Sequence, residues 1–420
     1  MEQLSYGAFS ADLHQRQGGE RVPLQVSIEV TRRCPLECLH CYNNLPMDDM
    51  QAKQRELSKE EHFRMLDELV EMGCFWILYT GGEIFARKDF LEIYTYAKKK
   101  GFLITLFTNG IIINEQIADY LAEWPPFAIE ITMYGRTRET YEALTAIPGS
   151  YDRCLRGIKL LKERGLPLKL KTVATSINKH EVFAMKQFAE ELGVEFKCDG
   201  QVNPRIDCSQ SPLAVRLTPE EVVALDMSDP KVVSEYRKLA KRDLENPPNL
   251  STVDTVYICG GGVNSFAVNA NGAVGICVIS QQETFSVRDA GVKAVWDESL
   301  RELRNRKRTR ITKCVECRIQ SLCAMCPANG ELENGDRESP VDFLCSVAHL
   351  RAMSVGATVP AHGHCEFCAG GSEHEALLES ARRIVNKEIN VETWVGPQHI
   401  LPILNNSGVA TGGCGSCGNH

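Results

Sequence analysis

Three cysteines, Cys34, Cys38 and Cys41, fall within eight residues in the stretch TRRCPLECLHCYN, directly after the alternating run PLQVSIEV. Thiolates are soft metal ligands, and three of them on one short loop can converge on a single centre. A 4Fe-4S cube has four iron corners, so three thiolates would fix three irons and leave the fourth open to a non-protein ligand. Zinc with three protein ligands also keeps an open position. Catalytic zinc, however, draws mainly on histidine or carboxylate, and His40 is the only imidazole near this loop. Two short motifs recur further along, TGGE at Thr80 to Glu83 and TNG at Thr108 to Gly110.

The elements that must position these groups follow one repeated pattern. From residue 23 to about 194, short β-rich runs alternate with amphipathic stretches: PLQVSIEV, CFWILYT, FLITLFT, FAIEITMY, LPLKLKTVAT and VEFKCD each read as a strand. Between them the pattern predicts helices over 58–73, 88–100, 114–123, 137–144, up to 164, and 178–192, the first opened by a Ser58/Glu61 capping box and closed by Gly73. Six such units predict an α/β fold, a partial (β/α)6 TIM-like barrel. In a barrel of this kind the functional groups gather on loops after the strand carboxyl ends. The cysteine loop follows strand one, TGGE follows strand two and TNG strand three, so all three should face one mouth.

Composition reads as a globular chain able to bury a sizeable core, and it narrows the partners. The chain has 420 residues, 43% hydrophobic, with 47 basic against 55 acidic residues and a net charge of −8. It has no long run of one sign, which argues against nucleic acid or a membrane surface as partner. No apolar stretch spans a membrane and no secretory signal opens the chain, so a cytoplasmic location is expected. Eighteen cysteines at CxxC-type spacings then point to metal or iron-sulfur ligation rather than disulfides. Cys74, Cys154 and Cys198 are exceptions, expected as buried core thiols among apolar neighbours.

CxxxCxxC after a first strand, with GGE after the second, resembles the radical SAM superfamily over residues 20 to 200. The resemblance implies that Cys34, Cys38 and Cys41 hold a 4Fe-4S cluster whose open iron chelates S-adenosylmethionine. It implies that Gly81, Gly82 and Glu83 form the SAM-binding segment, with glycines allowing close backbone approach. Thr132, in EITMYG, stands where relatives commonly have a serine near SAM, and Asn109 is a further candidate on the TNG turn. One electron passed through the cluster would cleave the sulfonium, giving a 5′-deoxyadenosyl radical that takes a hydrogen atom from substrate. No catalytic residue beyond the cluster is assigned.

A second cysteine field follows a connector that reads as loop and helix over 201–255, including a helix from 230 to 245. Cys259 and Cys277 bracket a Gly-rich segment, a basic helix is expected over 300–310, and CVECRIQSLCAMC is followed by Cys345. Residues 256–350 resemble the SPASM auxiliary-cluster domain, although its usual C-x2-C-x5-C-x3-C ending is one residue shorter here. Following that family, Cys314, Cys317, Cys323 and Cys345 would hold a distal 4Fe-4S cluster, and Cys259, Cys277 and Cys326 a proximal one. The fourth proximal ligand is then Cys208, a tail cysteine, or a substrate thiolate. Zinc knuckles are the alternative that CxxC spacing also allows.

The remaining chain, 351–420, is expected as a cysteine-containing tail with a polar helix over 373–387. It carries two CxxC pairs, Cys365/Cys368 and Cys414/Cys417, with His362, His364 and His420 as optional ligands. These could close a further metal site, form a redox-active or disordered thiol pair, or act as a fused substrate-like segment. The expected units are therefore residues 1–22 as an extension, 23–200, 201–255, 256–350 and 351–420.

The family implies a maturase acting on a ribosomal peptide or protein, forming a crosslink or oxidising a residue, with a reducing partner such as flavodoxin or ferredoxin. The extension before the first strand is expected to be too short for a leader-recognition domain. Relatives that mature sulfatases carry an aspartate after the cysteine matching Cys277, and Val278 argues against that subclass. Two alternatives stay open: a small-molecule enzyme, such as one tailoring tetrapyrrole side chains or dehydrogenating an alcohol, and a non-catalytic iron-sulfur electron carrier or scaffold.

Overall fold

Residues 6–17, 20–247 and 253–396 are described by a computed structural model. The six expected strands form where β-branched and aromatic residues cluster: β1 (Gln25–Thr31), β2 (Trp76–Gly81), β3 (Leu103–Thr108), β4 (Ala128–Thr132), β5 (Leu168–Val173) and β6 (Glu195–Asp199). Each pairs parallel with the next in chain order. Residues alternate between two environments along these strands. Val26, Ile28, Val30, Ile77, Ile104, Ile129 and Leu170 are fully buried beneath the helices. Ser27, Leu78, Phe107, Thr132 and Lys171 line an internal cavity instead. The interior is therefore partly polar and partly hollow, unlike a closed barrel filled by branched aliphatic layers.

Helices start where the sequence supplies caps. The helix Lys59–Glu71 opens on the expected capping box, with Ser58 Oγ accepting from Glu61 N at 3.1 Å and Glu61 Oε2 accepting from Ser58 N at 2.6 Å. Its inner face buries Met65, Leu66, Leu69 and His62. Glu115–Glu123 follows the cap Asn114, and Pro230–Glu245 has the expected bounds. The helix expected over 178–192 opens as a tight 3-10 turn, Lys179–Glu181, before Val182–Glu191. The basic helix expected to reach residue 310 stops at Arg304. Beyond it the backbone pairs elsewhere: Arg308 N donates to Asp254 O, Val256 N donates to Arg306 O, and Lys307 bridges Thr255.

Two features were not anticipated. A helix, Tyr6–Arg16, lies at the amino ends of the strands, with the His14 ring stacked on Trp76 at 5.7 Å. The Gly-rich segment between Cys259 and Cys277 also contains strands: β7 (Ser265–Val268) pairs parallel with β1, and β8 (Ala273–Gly275) folds back antiparallel on β7. The turn between them is built by Asn269, whose Oδ1 accepts from the backbone of Asn271 and Ala273, with Gly272 at φ 82°. A short β9 (Phe285–Ser286) completes one sheet in the order β6-β5-β4-β3-β2-β1-β7-β8-β9.

Cys74 and Cys154 are buried as expected, but Cys198 is exposed. It lies on β6, the edge of the sheet, where no further strand covers it. Among the described residues, no helix is long and apolar enough to cross a membrane.

Candidate functional site

The loop carrying Cys34, Cys38 and Cys41 is closed at its base by backbone bonds between Cys34 N and Leu45 O and between Leu45 N and Arg32 O. A tight turn from Cys38 O to Cys41 N presents the last two thiols. The flanks are pinned by charge: Arg33 pairs with Glu56 at 2.8 Å, and Asn43 Nδ2 donates to the buried Glu29 carboxylate at 2.6 Å. Arg205, from the segment after β6, donates to Cys41 O at 3.2 Å and to Asn44 O at 2.8 Å.

A cavity of about 350 Å³ opens at the carboxyl ends of the strands, bordered by Cys34, Cys38 and Cys41. Gly81, Gly82, Asn109 and Thr132 border it too, so the loops after the first four strands do share one mouth. Burial pushes the Cys34 thiol up to about 12, with Glu83 adding to it, and raises those of Cys38, beside the other two thiols, and Cys41, beside Glu29. Such thiols become thiolates only opposite strong positive charge, which iron supplies. The trio nevertheless lacks the convergence of a single-ion site, because among the described residues only one group reaches that spacing and it lies elsewhere. Three soft thiolate donors on one loop are the ligand chemistry that a 4Fe-4S cluster would take, one thiolate to each of three irons.

The two glycines border the cavity and also pack tightly against the cysteine loop. A Cβ on Gly81 would sit 2.0 Å from Thr31 O, and one on Gly82 2.3 Å from Arg32 O. The close approach they permit is to the base of the cysteine loop, bound by Gly82 N to Thr31 O at 2.8 Å and Glu83 N to Arg33 O at 3.0 Å. Glu83 does not border the cavity and is 1% exposed. Its carboxylate accepts from Thr108 Oγ1 at 2.7 Å and Asn109 N at 2.8 Å, tying the second loop to the third. Burial lifts its pKa to about 6 despite those donors. Asn109 in turn directs Nδ2 to the Cys34 sulfur at 3.5 Å.

Residues that sequence reasoning missed complete the wall. Lys171 on β5 lies over the Phe107 ring and 3.5 Å from Glu130, and burial lowers its pKa to about 8. Gln201 and Asn203 add amides from the segment after β6, and Val278 presents an apolar face. Nothing in a single sequence marks a strand lysine as inward-facing, but the alternation of LPLKLKTV made Lys169 and Lys171 equivalent candidates.

In the second field, Cys314, Cys317, Cys323 and Cys345 border one cavity of about 130 Å³. Cys326 does not line it and, like Cys277, lies within the electrostatic reach of Cys259, with burial lifting the Cys277 thiol to about 11. Cys208 Sγ lies 3.9 Å from Glu331 O, on the helix that starts beyond Cys326. Cys365 and Cys368 meet His349 and His362, and the four ligand atoms lie within 4.8 Å of one another. This is the one His/Cys metal-binding group that converges among the described residues. His364 is exposed, and Cys414, Cys417 and His420 lie outside the described residues. His349 was missed although it follows Cys345 by one helical turn on Asp342–Ser354, a spacing that places two donors on one face.

Residues 28–189 match the family model described as the radical SAM superfamily. A Fe-coproporphyrin III synthase of Methanosarcina barkeri is 28% identical over 362 residues, covering 76% of this chain and 87% of that protein. A PqqA peptide cyclase of Granulibacter bethesdensis is 29% identical over 171 residues, 41% of this chain and 45% of that protein. The crystal structure of Streptococcus suis SuiB bound to precursor peptide SuiA superposes with a TM-score of 0.60 at 16% identity, covering 82% of each chain, which marks a shared fold. The strand order, the three-cysteine mouth and the family match together define an iron-sulfur radical enzyme core. Residues 28–189 are thus a radical SAM core, and a Cys-rich region follows it.

Proposed function

We propose that this protein is a maturase that abstracts a hydrogen atom from a ribosomally made peptide or protein, leaving a crosslink or an oxidised residue. The observation that carries the substrate class is the chemistry of the cavity wall. Its surface is mainly apolar, its polar groups are largely neutral, from Asn43, Asn44, Asn109, Gln201, Asn203 and Thr132, and Lys171 is its only lysine or arginine among the described residues. Amides and hydroxyls pair with a peptide backbone at no charge cost, whereas a polycarboxylate in a buried site demands several cations. The fold shared with a peptide-bound enzyme supports the same reading.

When bound at the mouth, a 4Fe-4S cluster and S-adenosylmethionine supply reductive sulfonium cleavage and a hydrogen-abstracting 5′-deoxyadenosyl radical. Cys34, Cys38 and Cys41 would ligate the cluster. Gly81, Gly82, Asn109 and Thr132 would border the nucleotide, while Glu83 holds their loops in register. Phe107, Tyr134 and Val278 would keep water from the reacting carbon. Lys171 would orient a substrate carboxylate or carbonyl. We assign Cys314, Cys317, Cys323 and Cys345 to a distal auxiliary 4Fe-4S cluster and Cys259, Cys277 and Cys326 to a proximal one. Electrons would come from a flavodoxin or ferredoxin. The units we propose are the barrel over 23–200, the connector over 201–255, the auxiliary region over 256–350 and the tail beyond.

One observation favours a second reading, tailoring of a tetrapyrrole: the Fe-coproporphyrin III synthase likeness runs through most of both chains. Anaerobic protein reconstituted with iron and sulfide, then given dithionite and S-adenosylmethionine, separates the two. A candidate peptide is expected to raise 5′-deoxyadenosine release and to lose hydrogen by mass spectrometry, while iron coproporphyrin is not. Stimulation by the tetrapyrrole alone would establish the second reading, and no nucleoside with either substrate rejects both.

A further inference from the structure

Four buried donors converge behind the auxiliary cysteines on two separate pieces of chain. His349 lies on the helix Asp342–Ser354, while His362, Cys365 and Cys368 lie on the turn HGHCEFC that follows it. All four are buried, Cys368 to 1% exposure. We propose that they hold a single zinc ion, a structural site separate from every iron-sulfur ligand set assigned above and requiring neither Cys414 nor Cys417.

Geometry argues for one ion. The His349 Nε2 to Cys368 Sγ distance is 3.3 Å, Cys365 Sγ to His349 Nε2 is 3.6 Å, and Cys368 Sγ to His362 Nδ1 is 3.1 Å. Tetrahedral zinc with Zn–N near ~2.0 Å and Zn–S near ~2.3 Å sets neighbouring ligand atoms about 3.3–3.8 Å apart. The three nitrogen–sulfur separations, 3.1 to 3.6 Å, overlap that range, and small ring and thiol adjustments bring the shortest into it. A two-iron cluster with mixed ligands attaches imidazoles to one iron and thiolates to the other, across bridging sulfides. Here each sulfur instead lies directly against an imidazole.

The surroundings are those of a ligand set. His349 Nδ1 lies 2.8 Å from the Cys345 carbonyl, so it carries the proton and leaves Nε2 with its lone pair toward the thiols. The turn is pre-formed by Cys365 N donating to His362 O at 3.3 Å and Gly371 N donating to Cys368 O at 2.8 Å. Gly363 sits at φ 49°, a left-handed conformation that lets the chain double back between His362 and Cys365. Two thiolates and two neutral imidazoles around Zn²⁺ sum to zero charge, which removes the main cost of burying an ion here. The ion would fasten the chain after residue 354 back onto the helix that carries Cys345, and so brace one wall of the distal cysteine cavity. That cavity also touches His349, His362 and Cys365, but not Cys368, which makes Cys368 the discriminating position.

Metal analysis of the full-length protein, purified without oxygen from cells supplied with both iron and zinc, tests the assignment. One zinc per chain is expected in addition to iron, with zinc-edge absorption spectra fitting two sulfur and two nitrogen neighbours. Cys368→Ser and His349→Gln should each lower zinc from one equivalent to near none, and Cys368→Ser, outside the distal cavity, should keep iron content and cluster absorption at the parent level. Iron-replete protein without zinc overturns the proposal. So does a Cys368→Ser protein that loses iron while keeping zinc. If both variants are insoluble, the neighbour count around zinc in the parent protein decides: four sulfurs, or no zinc signal, rejects the site.

Discussion

Replacing Gly82 with alanine tests whether the GGE segment acts by packing against the cysteine loop. The added methyl would lie 2.3 Å from Arg32 O and 2.6 Å from Arg33 O, both backbone atoms in the loop that carries Cys34. Relief requires the second loop to move away from β1, straining the bonds from Gly82 N to Thr31 O and from Glu83 N to Arg33 O. Overpacking costs about 1–3 kcal/mol, and two weakened hydrogen bonds add about 1 kcal/mol each, for a total of roughly 3–5 kcal/mol. A whole domain has about 5–15 kcal/mol of stability, so the chain should stay folded while the mouth opens. The assay is iron and sulfide per chain after reconstitution, together with 5′-deoxyadenosine release. Gly82→Ala should lose the iron of the mouth cluster and all nucleoside release, keeping the auxiliary iron. Gly101→Ala is the control: it carries a strained φ of 94° with nothing within 4 Å, and should lower the melting temperature while leaving iron unchanged. A Gly82→Ala protein with full iron and normal nucleoside release refutes the reasoning.

Two further outcomes follow from the same framework. Arg205→Ala removes the donors to Cys41 O and Asn44 O, and Arg205→Lys keeps only a point charge; cluster bleaching in air, followed by absorbance, should be fastest in the alanine variant and intermediate in the lysine variant. Burial, reinforced by the Arg87 guanidinium 3.3 Å away, lowers the His62 pKa to about 3, so the folded state binds fewer protons than the unfolded chain below pH ~6.5. Its stabilising effect is therefore present above that pH and declines as pH falls toward 3, by up to ~1.4 kcal/mol per pH unit. Urea midpoints of His62→Gln should accordingly depend less on pH between 6.5 and 4 than those of the parent, and equal slopes would count against this account.

The chemistry-bearing loops were legible because their residue types are rare at those spacings and strand alternation put them at one end. Ser58 and Asn114 announced helix starts through side chains that bond the nearest backbone, a purely local event. What escaped reading depends on partners distant in the chain. The β7 strand is short and Gly-flanked, and only its pairing with β1 makes it a strand. Arg205 reaches Cys41 across 164 positions. His349 sits in an ordinary helical pattern, and its role emerges only when HGHCEFC folds back upon it. Cys198 was misread because apolar neighbours along the chain do not reveal that β6 ends the sheet.

The continuity between β1 and β7 has a mechanical consequence. The strand that delivers the iron-binding loop is held on both sides, by β2 and by β7, whereas β6 is held on one side alone. An edge strand has one neighbour's hydrogen bonds to lose, so the β5–β6 margin should exchange its amide hydrogens faster than β1. The cysteine loop is thus anchored in the middle of the sheet, and Arg205 is its direct tie to the looser margin.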